Sequence, residues 1–185
     1  PLAVCASELE NICEQLEVEK KTIFMGFNLL FDPLILLIKA LISAKNFGHL
    51  ICFQAQCGQW LPDWHPYEEY MTSYAAREDL GGGVALTLMH ELQLATEFAG
   101  LPAVVYGRNA SSDLLQLKNV EALSDCMITH ESGAVSQVHL DYLQKPRHRT
   151  GCLSFSRGWI SYDLNKKIVQ EMDPDSGEIE VHHVG

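Results

Sequence analysis

Basic side chains are scarce in this sequence. Its 185 residues contain 13 Lys and Arg against 24 Asp and Glu, which gives a formal net charge of -11. Nucleic acids and anionic membrane surfaces both reward clustered Lys and Arg. We therefore expect neither of them as a partner.

Long hydrophobic runs are also missing. No stretch reaches the roughly 18 consecutive apolar residues of a membrane span, and the apolar run 34–42 contains Lys39. The start of the chain carries Glu8 and Glu10 rather than the basic segment of a secretory signal. These absences predict a cytoplasmic protein without a membrane segment.

Closely paired cysteines are absent as well. The six cysteines are scattered and form no CxxC pair; they are Cys5, Cys13, Cys52, Cys57, Cys126 and Cys152. This spacing predicts reduced and mostly buried thiols rather than a disulfide framework or a zinc site. We expect no metal.

Two kinds of pattern follow one another along the chain. Helix patterns with intervening buried strands occupy the first half, with Asp32-Pro33 as a helix start. Beyond residue 102, alternating segments separated by turn residues predict serial hairpins at 125–142, 150–164 and 167–183. The pattern predicts an α+β fold: an open, mainly antiparallel β-sheet with helices on one face.

The first 27 residues fit this plan poorly. Ser7 and Glu10 form a capping box before an apolar stripe, and the apolar run 22–27 predicts a buried strand. Such a strand needs neighbours in a sheet. We therefore divide the chain into residues 1–27, the leftover helix-strand unit of a missing Rossmann-type domain, and residues 28–185, the α+β domain.

A glycine run marks the centre of the chain. Gly81, Gly82 and Gly83 precede a pattern that predicts one helix over 84–99, with His90 about two turns in. Such a run permits close backbone approach and leaves a helix N-terminus free to face an anion. The long aromatic loop 61–80 before it predicts a functional segment.

Several motifs now occur in a recognisable order. They are Gly26 to Pro33 (GFNLLFDP), Leu61 to Pro66 (LPDWHP), Ser73 to Arg77 (SYAAR), Gly81 to Glu91 (GGG through HE) and His139 to Tyr142 (HLDY). Together they resemble the Gfo/Idh/MocA oxidoreductases, in the branch that acts on sugars and nucleotide sugars. The resemblance covers essentially the whole chain but only the C-terminal part of such an enzyme.

The resemblance implies a division of labour. In the family, an N-terminal Rossmann domain binds NAD(P), while the C-terminal domain supplies the substrate pocket and builds a homo-oligomer through its open sheet face. Pro1 matches the last residue of a Glu-Lys-Pro tripeptide that bears the catalytic lysine. This chain has no GxGxxG motif, so we expect it to bind no cofactor alone and to need a separate chain or segment carrying the Rossmann half.

The resemblance also assigns the catalytic positions. His90 matches the family's histidine, whose ordinary pKa suits a base that removes a hydroxyl proton. Thr87 stands where related sequences have an Asp that partners this histidine. Leu30 and Asp32 replace an Arg and a His. These departures predict weakened catalysis.

Residues around these motifs are candidates for binding a sugar-like molecule; they are Asn28, Trp64, His65, Tyr74, Arg77 and Glu91. Aromatic rings can lie on the C–H faces of a sugar, and Arg77 can contact a carboxylate or phosphate. The alternatives are a loop packed by its own aromatic residues and an ion pair of Arg77 with Glu78 or Asp79.

Three functions follow from the sequence. The first is the substrate-binding and oligomerisation part of an NAD(P)-dependent oxidoreductase acting on a sugar or nucleotide-sugar hydroxyl, inactive without the Rossmann half. The second is a non-catalytic sugar-binding or scaffold relative, which Thr87, Leu30 and Asp32 favour. The third is a metal-dependent hydrolase that uses His65, His90 and Glu91.

Overall fold

The computed structural model describes residues 2–185 of the chain. This part contains four α-helices: α1 (Ala6–Glu19), α2 (Pro33–Ala44), α3 (Val84–Thr87) and α4 (His90–Ala99). It also contains eight strands: β1 (Leu50–Gly58), β2 (Pro102–Ala110), β3 (Leu123–His130), β4 (Val135–Asp141), β5 (His148–Phe155), β6 (Trp159–Asp163), β7 (Ile168–Met172) and β8 (Ile179–His183). Residue 1 lies outside the described part, so the match of Pro1 to the family's tripeptide also falls outside it.

The strands form a single open sheet in the order β2-β3-β4-β1-β5-β6-β7-β8. Within it β1 pairs in parallel with β4, and the other neighbouring pairs are antiparallel. The three predicted hairpins are present as β3–β4, β5–β6 and β7–β8. The predicted α+β class and mainly antiparallel sheet are confirmed.

One face of the sheet carries the core. Alternate residues of the central strands, such as Phe53, Leu153 and Ile160, are fully buried. They lie beneath α2 and α4, whose Ile38 and Leu94 are also fully buried. The opposite face of the sheet carries polar side chains and stays open. This arrangement places the end of β1 and the start of β5 next to α4.

Helix α2 begins where the sequence predicts. Asp32 is its N-cap and accepts a hydrogen bond from the backbone N–H of Leu34 at 2.9 Å, with Pro33 at the first helical position. The helix ends at Ala44, and the following strand β1 leads back through the middle of the sheet. No helix within residues 2–185 is long and apolar enough to cross a membrane.

The N-terminal segment differs from its prediction. Helix α1 begins at Ala6 with Cys5 as N-cap, so the proposed capping role of Ser7 is wrong. The strand predicted over 22–27 is absent, and Phe24 is 84% exposed. A strand persists only where a neighbouring strand accepts its backbone hydrogen bonds, and none of the described strands lies beside this segment.

The helix predicted over 84–99 is also interrupted. Leu88 leaves helical geometry with φ -102° and ψ 28°, so α3 ends at Thr87 and α4 starts at His90. The apolar period continues through the break, which explains why the sequence does not reveal it. His90 therefore stands at the first turn of a new helix instead of two turns inside a continuous one.

Candidate functional site

A cavity of about 400 Å³ opens where several chain segments meet. It lies between the end of β1, the α3–α4 junction, the start of β5 and the residues after β6. The predicted residues Trp64, Thr87 and His90 all line it. Its other lining residues are Leu29, Asp32, Cys57, Gly58, Gln59, Leu88, Arg147, His148, Arg149, Leu164 and Asn165. The volume falls within the range of small-ligand sites.

His90 is the predicted acid–base residue, and it lines this cavity. Its Nδ1 atom is buried and has no hydrogen-bond partner within residues 2–185, while the edge of the ring meets Phe27 at a centroid distance of 6.3 Å. Burial lowers the pKa of His90, and the charge of Arg149 lowers it further. The imidazole is thus held in its neutral, proton-accepting form.

Trp64 brings a second polar atom without a partner. Its Nε1 is buried and unbonded in the described chain, and its ring stands edge-on to Tyr142 with 5.4 Å between centroids. Buried polar groups normally have hydrogen-bond partners, so each exception needs an explanation. Both unbonded nitrogens belong to side chains that line the cavity.

Thr87 makes its hydrogen bonds away from His90. Its hydroxyl donates to the carbonyl of Gly83 at 2.8 Å and contacts the hydroxyl of Tyr142. Tyr142 is fully buried and also lies 3.3 Å from the carbonyl oxygen of Ala75. In this structure Thr87 fixes α3 against β4 and the loop before it. A catalytic role for Thr87 stays a prediction.

The glycine run serves close packing rather than an open anion site. A Cβ atom at Gly82 would lie 2.6 Å from the carbonyl oxygen of Tyr74, so only glycine fits there. The N-terminus of α3 is already satisfied, because Glu121 accepts the N–H of Ala85 at 2.9 Å and that of Val84 at 3.3 Å. The expectation of a free helix N-terminus is therefore wrong.

Glu91 lies behind the cavity, not within it. Its carboxylate is fully buried and accepts from Nε of Arg149 at 2.6 Å and from Nη2 at 3.2 Å. Burial raises the pKa of Glu91, and Arg149 opposes that shift. The pair joins α4 to β5 immediately beside His90. Arg149 itself lines the cavity, so the ion pair connects Glu91 to the cavity wall.

Besides Glu91, four predicted residues lie outside the cavity lining. Asn28 starts a 3-10 turn at Asn28–Phe31, beside the lining residue Leu29. His65 bonds to the hydroxyl of Tyr67 at 2.9 Å. Arg77 donates to Asp79 at 3.0 Å, which is the surface ion pair that the sequence offered as its alternative role. Tyr74 is exposed. Sugar contacts by these four residues stay predictions.

The basic side of the cavity was missed by sequence reasoning. No residue of 145–149 was predicted as a site residue, yet Arg147, His148 and Arg149 line the cavity with Asn165. The available signal was the basic cluster itself, with Arg147 just before β5 and Arg149 within it. Their proximity to His90 comes from tertiary packing.

Within residues 2–185, potential metal ligands converge at one place, and none of them lines the His90 cavity. Glu171, Glu180 and His182 bring their ligand atoms within 4.8 Å of one another. The ammonium of Lys45 already lies there, 3.1 Å from Glu171 and 3.3 Å from Glu180. Hydrogen bonds to Asp173 raise the pKa of Lys45, so it stays charged. The geometry gives no support to the hydrolase alternative built on His65, His90 and Glu91.

The family profile of the GFO/IDH/MocA C-terminal domain matches residues 35–161. This match spans more than half of the chain, and the chain belongs to the Gfo/Idh/MocA family of oxidoreductases through its C-terminal domain. A comparison with curated protein sequences finds no match.

Solved structures confirm the fold. An NAD binding oxidoreductase from Klebsiella pneumoniae superimposes with a TM-score of 0.83 at 17% identity, covering 100% of this chain and 53% of the other. Levoglucosan dehydrogenase in complex with NADH and levoglucosan gives 0.73 at 19% identity, over 86% of this chain and 46% of the other. An oxidoreductase from Agrobacterium radiobacter in complex with NAD+, L-tartaric acid and magnesium gives 0.80 at 16%, over 98% and 52%. The chain thus spans about half the length of these proteins.

Proposed function

We propose that this chain is the substrate-binding and oligomerisation part of an NAD(P)-dependent oxidoreductase acting on a hydroxyl of a sugar or nucleotide sugar. The observation that carries the proposal is the unpartnered imidazole of His90 in a cavity of substrate size. Similar folds that bind NAD+ or NADH together with levoglucosan or L-tartaric acid support a polyhydroxylated substrate.

His90 would act as the base. Oxidation of a hydroxyl carbon requires loss of the hydroxyl proton and of a hydride from the same carbon. The neutral imidazole accepts the proton, and the ring of Trp64 in the cavity wall orients the substrate. NAD(P), when bound by the Rossmann half, supplies the hydride acceptor. Both functions of this chain, proton transfer and orientation, reside in the cavity.

The cofactor half would come from elsewhere. The sequence offers no phosphate-binding glycine motif, and α1 contains no buried residue. Its apolar residues Leu9, Ile12 and Leu16 thus remain available to a further domain. We propose that this helix packs against a Rossmann-type segment or chain, and that catalysis requires the two together.

One observation favours a non-catalytic relative as second candidate. The position that would orient His90 is a threonine whose hydroxyl bonds to Gly83 and Tyr142. His90 therefore lacks a charged partner at that position, and general acid–base catalysis is worth about 10²–10⁴-fold in rate. A sugar-binding scaffold would keep the cavity and lose turnover.

The open face of the sheet is the proposed contact between copies of the chain. It forms a shallow concavity of about 1140 Å³, larger than the His90 cavity but broad and solvent-exposed. Tyr106 and Met127 are 69% and 58% exposed on it, and a hydrogen bond of 2.9 Å joins Gln54 to Gln137 across it. Exposed aromatic residues and methionine are typical of interfaces. We expect the assembly in the cytoplasm, where thiols stay reduced.

Turnover after addition of the cofactor half tests the proposal. The chain is joined to a Rossmann domain from a similar oxidoreductase, and NADH formation is followed with sugars and polyols as substrates. We expect turnover that falls about 100-fold or more in His90→Ala and persists in His49→Ala, whose side chain is exposed. Sugar binding without turnover would instead support the scaffold candidate.

A further inference from the structure

One side of the His90 cavity is basic although the chain as a whole is acidic. Arg149 is the second residue of β5, and Arg147 lies just before the strand. The side chain of Arg149 faces the helix layer, as its register opposite the buried Cys57 indicates. Both arginines line the cavity.

These two guanidinium groups are only partly neutralised by the protein. Glu91 accepts from Nε and Nη2 of Arg149, and the side chain of Arg149 stays 27% exposed. Arg147 is exposed and makes no ion pair within the part of the chain that the structure describes. The cavity therefore presents a guanidinium group with free donors.

Asp32, the acidic residue of the lining, forms no salt bridge with Arg147 or Arg149 among the described residues. Asp32 uses Oδ1 to cap α2, accepting from Leu34 at 2.9 Å. The positive end of the α2 dipole stabilises that carboxylate in place. The nearby His148 contacts the hydroxyl of Thr150 at 2.9 Å. The guanidinium group of Arg147 is therefore available to a ligand in the cavity.

We infer that the cavity selects an anionic substrate: a monosaccharide-sized polyol with a carboxylate or phosphate group that binds Arg147, with Arg149 beside it. Planar guanidinium groups bind such oxyanions through two parallel hydrogen bonds. A volume of about 400 Å³ suits a single sugar unit better than a nucleotide sugar. This inference rests on the proposed function and narrows its substrate class.

Titration calorimetry with matched ligand pairs tests the inference on the intact chain. D-Gluconate is compared with D-sorbitol, and D-glucose 6-phosphate with D-glucose, because each pair differs mainly in the ionised group. We expect the anion of at least one pair to bind about tenfold or more tightly than its neutral partner, as one charged hydrogen-bonding pair allows. The pair with the larger preference identifies carboxylate or phosphate.

Variants assign that preference to a residue. Arg147→Gln should abolish the preference for the anion, and Arg147→Lys should keep part of it because the charge remains. Arg108→Gln removes the same side chain from an exposed position on the other face of the sheet and should change nothing. Circular dichroism spectra of all variants establish that they fold.

The outcomes separate the two proposals. Equal affinity for anion and neutral partner overturns the inference and leaves the proposed sugar site intact. An anion preference that survives Arg147→Gln overturns the role of Arg147. Binding of neither member of either pair counts against the inference and the proposed function together.

Discussion

Glu91 and Arg149 form a charge pair directly beneath the candidate base. The carboxylate of Glu91 is fully buried and receives two hydrogen bonds, of 2.6 and 3.2 Å, from a guanidinium that reaches the cavity. One partner belongs to α4 and the other to β5, so the pair ties the helix of His90 to the sheet. A buried charge without its partner is costly.

Glu91→Gln should therefore destabilise the fold. We expect a loss of about 2–3 kcal/mol in the free energy of unfolding, below the full cost of breaking a buried pair because Arg149 retains contact with solvent. Urea unfolding measures the loss. The control is Glu97→Gln, which removes a more exposed carboxylate 2.6 Å from Lys39 and should cost under about 1 kcal/mol. Equal losses in the two variants would contradict the structural role of Glu91.

The titration of His90 gives a second prediction. Burial and Arg149 lower its pKa below the ordinary value of 6.5. An NMR titration of the ring C–H resonance should show this lowered midpoint, and Arg149→Gln should raise it. A midpoint at or above 6.5 in the unmodified chain would contradict the neutral base.

The same shift predicts a loss of stability in mild acid. Below pH 6.5 the unfolded chain protonates His90 more readily than the folded chain does. The contribution of His90 to the free energy of unfolding is therefore fully present above that pH. It is lost as the pH drops toward the pKa of the folded state. His90→Gln should remove this part of the acid sensitivity, as unfolding curves at pH 7.5 and pH 5.5 would reveal.

Gly82→Ala should disturb the loop that covers α3. The added Cβ would lie 2.6 to 2.8 Å from three backbone carbonyl oxygens, those of Tyr74, Arg77 and Ala75. Overpacking of this kind costs about 1–3 kcal/mol, measurable by thermal or urea unfolding. Gly26→Ala meets nothing within 4 Å and should stay within about 0.5 kcal/mol of the unmodified chain. Similar stability of the two variants would argue against the close packing of the loop.

The open sheet face predicts a dimer or larger assembly. Sedimentation velocity should show association of the unmodified chain, and Tyr106→Glu should weaken it because the charge lies on the proposed contact. Tyr67→Glu places the same charge at an exposed position outside this face and serves as the control. A monomeric unmodified chain would exclude the proposed contact.

The sequence predicts the sheet better than it predicts the N-terminal segment. Turn residues such as those at Gly133 and Gly177 mark hairpins whose partners are adjacent in sequence, so local patterns suffice. A strand at 22–27 would need a neighbouring strand from elsewhere in the chain. The apolar composition of this segment does not reveal whether such a neighbour exists. The break at Leu88 escapes prediction because the apolar residues continue at helical spacing on both sides.

The candidate site was also predicted only in part. His90 and Trp64 were predicted, and both line the cavity. Arg149 was missed because its partner Glu91 lies 58 residues away along the chain, and only the folded sheet brings β5 beside α4. Thr87 was predicted as a site residue and lines the cavity. Its hydrogen bonds to Gly83 and Tyr142 depend on backbone positions that no sequence pattern specifies.

The central claim is that the cavity around His90 receives a polyhydroxylated substrate. Chemical-shift mapping of the isotope-labelled chain during titration with D-sorbitol and D-gluconate tests it most directly. The account predicts that the largest perturbations fall on the imidazole of His90, the indole N–H of Trp64 and the amide of Asn165. Perturbations confined to the open sheet face or to α1, with His90 and Trp64 unmoved at saturation, would contradict it.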